Sequence, residues 1–198
     1  LLYTTENAIA PGEGRIGIYD VNRDFTRIGE FASGGIGPHE IRLHPDGQQL
    51  IIANGGILTR PDTGRVKLNL DSMQSNLTLL DRVSGEIRWQ GEPSHHQLSL
   101  RHLDVSREGV IVAGYQYQGP AADHRPLVVM KHPGSDRLQE LPLPREYVPQ
   151  FKQYIASIAV SPDGRLAVAT APRGNLITLW NLATGELDTT LDFADCAG

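Results

Sequence analysis

The residues best equipped for chemistry begin with the run Ser33-Gly34-Gly35-Ile36-Gly37-Pro38-His39-Glu40. Its glycines permit close backbone approach to a ligand and leave amides free, while His39 and Glu40 add a base and a carboxylate. The spacing fails G-x-G-x-x-G and no helix is expected to follow, so this is not a dinucleotide fingerprint. A glycine-rich link carrying a structural histidine is the competing reading. Seven histidines occur, and His39, His95, His96, His102 and His124 fall in or beside polar loops. With Glu40 or Asp123, such imidazoles would suit a divalent metal or iron. The local spacing is not diagnostic, and a hydrogen-bonded structural histidine is the usual alternative. A second group, Arg60, Asp62, Arg65, Lys67 and Asn69, with Arg101 and Arg125 further on, offers guanidinium forks to a carboxylate or phosphate. Solvated loop charges without a target are the alternative there. No G-x-S-x-G elbow and no set of nucleophile, base and orienting group is present, which disfavours covalent hydrolysis.

Elements that would position these residues repeat along the chain. EIRLHPDGQQLIIANGG (40–56), HLDVSREGVIVAGYQYQG (102–119) and SIAVSPDGRLAVATAPRG (157–174) align on tight turns about 60 residues apart. Each reads strand, turn, strand, because Pro presets φ and Gly takes the left-handed position. A second hairpin follows each: NLTLLDRVSGEIRWQGE (76–92), PLVVMKHPGSDRLQELPL (126–143) and NLITLWNLATGELDTTLDF (175–193). RIGIYDVNRDFTRIGEF (15–31) is an earlier copy. Two hairpins make one four-stranded blade, so the expected fold is all-β, a propeller fragment of about four blades: 1–31 (partial, last three strands), 38–92, 99–143 and 154–193. A sandwich or barrel would not explain the recurring turn chemistry. An open arc would leave apolar faces wet, so the remaining blades of a ring are expected as partners of this piece. Trp89 and Trp180 lie within strands and read as core.

In such a blade the first and third turns emerge on one face, and the other connections on the opposite face. The turns of the first kind are all tight. The others are long and polar: Ala32–Pro38, Gly55–Ser75, Glu92–Leu98, Gln118–Arg125 and Pro144–Gln153. Long loops held by a rigid scaffold are where sites are built, although these could simply brace one another. Aligned on their turns, the inner strands put Glu40, His102 and Ser157 at one position and His39, Arg101 and Ala156 just before it. The candidate ligand contacts at the channel mouth are therefore His39, Glu40, Arg101, His102, Lys67, Asn69 and Gln116, with His39, Glu40 and His102 as candidate metal ligands.

Bulk properties exclude several functions. The 198 residues are 39% hydrophobic and 21% charged, and 21 Gly and 13 Pro are spread between apolar runs, as in a globular β-protein. A net charge of −5 gives no basic footprint for nucleic acid. No apolar run is long enough for a membrane span, and the first residues resemble no signal peptide. Starting at Leu1, the chain reads as a processed or truncated piece. The single cysteine, Cys196, can neither staple the fold nor build a Cys-rich zinc site.

The runs TTENAIAPGEGRIGIYDV, SGGIGPHEIRLHPDG, LIIANGGILTRPDTGRVKLNL, LSLRHLDV, YQYQGPAADHRPLV and SPDGRLAVATAPRG together resemble the bacterial propeller family designated domain of unknown function 1513. That resemblance implies a seven-bladed ring, twin-arginine export to the periplasm, and association with imelysin-like proteins and other iron-uptake components. It implies no established activity. The G-P-H run and the PDG turns are more weakly similar to lactonase-type propellers, whose full set of acidic metal ligands is not recognisable. Two functions are therefore expected: first a non-enzymatic binding or scaffold protein of iron acquisition, and second a metal-dependent lactonase-like hydrolase.

Overall fold

The computed structural model describes residues 1–7, 13–60, 62, 64 and 66–197. Its described residues form fifteen strands in chain order. The first sheet holds β1 (Leu2–Asn7), β2 (Gly14–Asp20) and β3 (Thr26–Ala32), and the second holds β4 (Pro38–Leu43), β5 (Gln49–Asn54), β6 (Asn76–Asp81) and β7 (Ile87–Gly91). The third comprises β8 (Leu98–Val105), β9 (Ile111–Tyr117), β10 (Val128–Lys131) and β11 (Gln139–Glu140). The fourth comprises β12 (Ser157–Val160), β13 (Leu166–Ala171), β14 (Leu176–Asn181) and β15 (Leu187–Asp192). Within each sheet, strands adjacent in sequence pair antiparallel. The expected all-β propeller architecture is observed.

Each hairpin forms for a local reason. The β4–β5, β8–β9 and β12–β13 turns close through the amides of Gly47, Gly109 and Gly164 donating to the carbonyls of His44, Ser106 and Ser161 at 2.9, 3.0 and 2.9 Å. All three glycines have positive φ, the conformation that costs other residues most. The β6–β7 and β14–β15 hairpins share another device: Asp81 accepts from the amides of Val83 and Ser84, and Asn181 from those of Ala183 and Thr184. Asp20 accepts from the Asn22 amide in the same way. The ladders β2–β3, β6–β7 and β14–β15 also all shift register one residue before that Asx residue, at Ile18/Tyr19, Leu79/Leu80 and Leu179/Trp180. The shared cap and bulge make β2 and β3 the equivalents of the third and fourth strands of the other sheets, and β1 the equivalent of a second strand.

Sheets stack face to face, and period two divides the core accordingly. On β5, Leu50 and Ile52 pack with Ile16 of β2 and Leu80 of β6, toward the first sheet. Ile51 and Ala53 belong to the larger cluster shared with the third and fourth sheets, which includes Leu100, Leu103, Tyr115, Val129 and Trp180. A strand buried on both faces reads as a continuous apolar run, as LIIA does at 50–53. Trp180 is fully buried and donates its indole N–H to Thr178 Oγ1 at 3.0 Å. Trp89 packs on the same core, with the Lys131 ammonium 4.6 Å above its ring. Cys196 is a buried free thiol that donates to the Leu176 carbonyl. No helix among the described residues is long and apolar enough to cross a membrane.

Candidate functional site at the inner-strand bulges

The first strands of successive sheets, β4, β8 and β12, pack edge to edge. An edge strand exposes N–H and C=O groups that must find partners, so polar side chains are demanded there irrespective of function. Glu40 Oε2 accepts from the Leu103 amide at 3.3 Å, and Arg42 Nε donates to the Leu103 carbonyl at 3.5 Å. Asp104 does the same for the next strand, accepting from the Val160 amide at 2.8 Å. Much of the polarity of the inner strands is thus interblade stitching.

Two residues depart from this ladder. The β4–β5 pairing slips between Pro38 and Glu40, leaving His39 opposite no partner, and the β8–β9 pairing slips between Leu100 and His102, leaving Arg101 in the same position. These are equivalent bulges on successive blades. A bulge re-aims its side chain and frees its carbonyl. The freed Arg101 carbonyl is 3.0 Å from His39 Nδ1. Because a carbonyl only accepts, that Nδ1 carries the proton. The His39 ring meets the His102 ring edge-on, with centroids 4.9 Å apart.

Burial by the surrounding atoms, then the Arg101 guanidinium and the His102 ring, hold the His39 pKa down to about 4, although part of its side chain is exposed. His39 is therefore neutral near pH 7, and Nε2 carries the lone pair. Glu40 behaves oppositely. Burial works to raise its pKa but is outweighed by His102, the Arg42 charge and the Leu103 amide, so it lies below the usual carboxylate range. Its carboxylate accepts from His102 Nδ1 at 3.2 Å and pairs with Arg42 Nη2 at 2.8 Å. Glu40 and His102 are thus hydrogen-bonded to each other, and His39 joins them through its ring contact with His102. Among the described residues, no three His, Cys, Asp or Glu side chains converge to hold a metal ion.

Arg101 is the exception in this set. Its guanidinium is largely buried, Nε has no hydrogen-bond partner, and among the described residues no carboxylate pairs with it. Burial lowers its pKa, with the nearby Tyr154 acting weakly the other way. Gly55 makes the room: a Cβ there would lie 3.3 Å from Arg101 Cζ and 3.1 Å from Ser99 Oγ.

The remaining candidates brace loops. Asn69 is pinned within its own loop, accepting from the Leu58 amide at 2.7 Å and donating to the Gly56 carbonyl at 2.8 Å. Gln116 Nε2 donates to the Ile155 carbonyl at 3.3 Å, and its backbone bridges Tyr154. Lys67 Nζ donates to Gln118 Oε1, and Gln118 in turn donates to the Gln116 carbonyl. His95 stacks on His96 and meets Tyr117 edge-on, while the Tyr117 hydroxyl donates to Asp123, which Arg125 also grips. His124, Arg60 and Asp62 are exposed, and Arg65 lies outside the described residues.

The glycine run is held rather than open. Buried Asn54 donates to the Ser33 carbonyl, Asn76 Oδ1 and Thr78 Oγ1, and Ser33 Oγ donates back to Asn54 Oδ1. Asn76 and Gln90 both donate to the Gly34 carbonyl. The sequence reading missed Arg42, Tyr154 and Arg173, whose guanidinium lies 4.0 Å over the Tyr154 ring. Arg42 was detectable, since period two puts it on the same strand face as Glu40. Tyr154 and Arg173 carry no local signal.

The chain is similar in fold to Kuenenia stuttgartiensis hydrazine synthase, with a TM-score of 0.66 and 16% identity over 91% of this chain and 49% of that one. It is likewise similar to the β-propeller domain of Myceliophteria thermophila Cps50 (Swd1), with a TM-score of 0.65 and 10% identity over 98% of this chain and 52% of that one. The chain thus spans about half the length of each. At these identities the likeness concerns fold alone. No curated protein matches the sequence. The family described as a protein of unknown function (DUF1513) matches residues 1–198, and the chain belongs to it.

Proposed function

We propose that this chain contributes the binding face of a non-enzymatic propeller, which takes a ligand or partner protein at its channel rim and serves iron acquisition in the periplasm. Arg101 carries the binding part of this reading. An inner-strand cation with no carboxylate partner among the described residues, beside a hydrogen-bonded His–Glu pair, is costly in a purely structural role and useful in a receptive one. The periplasmic setting, twin-arginine export and imelysin-like partners are expectations attached to the family resemblance. In this reading further blades complete the ring.

The test is binding by the complete protein, at micromolar concentration, of an imelysin-like protein and of ferric and ferrous iron. Capture of either supports the reading, and failure with all three removes it. Elemental analysis of protein from its native compartment adds a second arm. Stoichiometric metal that is lost on His39→Ala or His102→Ala would make the cluster a metal site.

One observation favours a hydrolase as the second reading. Glu40 fixes His102 through Nδ1, the arrangement that orients an imidazole for general-base work. His102→Ala would then abolish turnover of a responsive lactone, and an unchanged rate eliminates that role.

A further inference from the structure

We propose that Arg101 is the receptor for an oxyanion, a carboxylate or phosphate group of a ligand entering the channel rim. This deepens the binding reading given above and rests on it. Three observations converge. Arg101 is only partly exposed and its Nε is closed off from solvent, yet among the described residues it has no carboxylate and that Nε has no acceptor. Buried cations are ordinarily paired, and every other charged group of the inner-strand cluster is: Glu40 takes His102, Arg42 and the Leu103 amide. The missing partner of Arg101 is therefore an acceptor of negative charge.

The surroundings suit that partner. Arg101 sits on a bulge that lifts it off the ladder, and the absent side chain of Gly55 makes the room its Cζ occupies. Tyr154, its electrostatic neighbour, lies under the Arg173 guanidinium. Tyr154 also bridges Gln116, which leads through Gln118 to Lys67. Among the described residues, Arg173 and Lys67 meet only neutral partners, a phenol ring and an amide oxygen. Three cations without a carboxylate partner among the described residues are thus linked through Tyr154, Gln116 and Gln118 in a chain of net charge −5. Carboxylate and phosphate both accept the bidentate guanidinium fork.

The test uses the complete protein and two probes, succinate and inorganic phosphate, by calorimetric titration. The expected result is that one probe binds, that Arg101→Gln weakens it roughly ten-fold or more, and that Arg107→Gln on the exposed β8–β9 turn leaves it unchanged. Which probe binds identifies the oxyanion. A folding defect is separated by a second readout, since Arg101→Met should raise or preserve the ligand-free melting temperature by removing an uncompensated buried charge. It should also abolish stabilisation by the probe. Equal affinity in wild type and Arg101→Gln, no binding of either probe, or a marked fall in ligand-free melting temperature for Arg101→Met overturns the inference. If partner capture persists in Arg101→Gln while neither probe binds wild type, the binding reading stands and the oxyanion assignment falls.

Discussion

Removing the Arg101 charge should register first at His39. The imidazole is held near pKa 4 by burial, by the guanidinium and by His102, in that order. In an NMR titration of the complete protein, His39 is expected to protonate near pH 4, and Arg101→Met should move that midpoint upward. Burial remains in the variant, so the midpoint should stay below 6.5, the ordinary histidine value. An unmoved midpoint would mean that the guanidinium does not act on the ring. The two residues occupy equivalent bulges but have different fates: His39 is satisfied by a backbone carbonyl, whereas Arg101 meets no carboxylate among the described residues.

At the scale of elements, the inner strands depend on their links and turns. Asn54, at the end of β5, ties the glycine link to β6 through four hydrogen bonds involving Ser33, Asn76 and Thr78. Asn54→Ala leaves several buried polar groups unsatisfied and should cost about 3 kcal/mol in urea denaturation. A loss within a few tenths of a kcal/mol would show that water or relaxation replaces the network. The turn glycines supply an internal comparison. Gly47 has φ +68° and open space beyond it, so Gly47→Ala should cost only left-handed strain, about 1–2 kcal/mol. Gly109 has φ +85°, and a Cβ there would lie 2.9 Å from His44 Nε2, on a ring already engaged with Asp46. Gly109→Ala should add an overpacking cost of about 1–3 kcal/mol. Equal losses for the two variants would show that the stacked turns of neighbouring sheets do not press on one another.

For the molecule as a whole, acid should act in two stages. His39 and His95 both have depressed pKa values in the fold, His95 through burial, Arg125 and His96, so the folded state binds fewer protons than the unfolded chain. Their contribution is present above about pH 6.5, the ordinary histidine value, and declines as pH falls below it, that of His39 until about pH 4. Glu40, Asp123 and Asp163 also have lowered pKa values, and their contribution is lost only below the ordinary carboxylate range. Melting temperature should therefore fall between pH 6.5 and 4, and fall again below that. His39→Gln should flatten the first stage and spare the second, and a first stage of undiminished slope would assign it elsewhere. The all-β repeat, the hairpins and the burial of both faces of β5 were legible in the sequence, because turn chemistry and period-two patterning are local and act before any tertiary contact. The placing of His39, Glu40, Arg101 and His102 at matching positions of the first strands of successive sheets followed from aligning those turns. What each of these residues does there was not legible. That Glu40 is spent on the neighbouring strand, that bulges lift His39 and Arg101 off their ladders, and that Arg101 meets no carboxylate among the described residues depend on the edge-to-edge approach of β4 and β8, strands separated by more than fifty residues. Electrostatic pairing is set by distance in space, which only the stacked sheets fix.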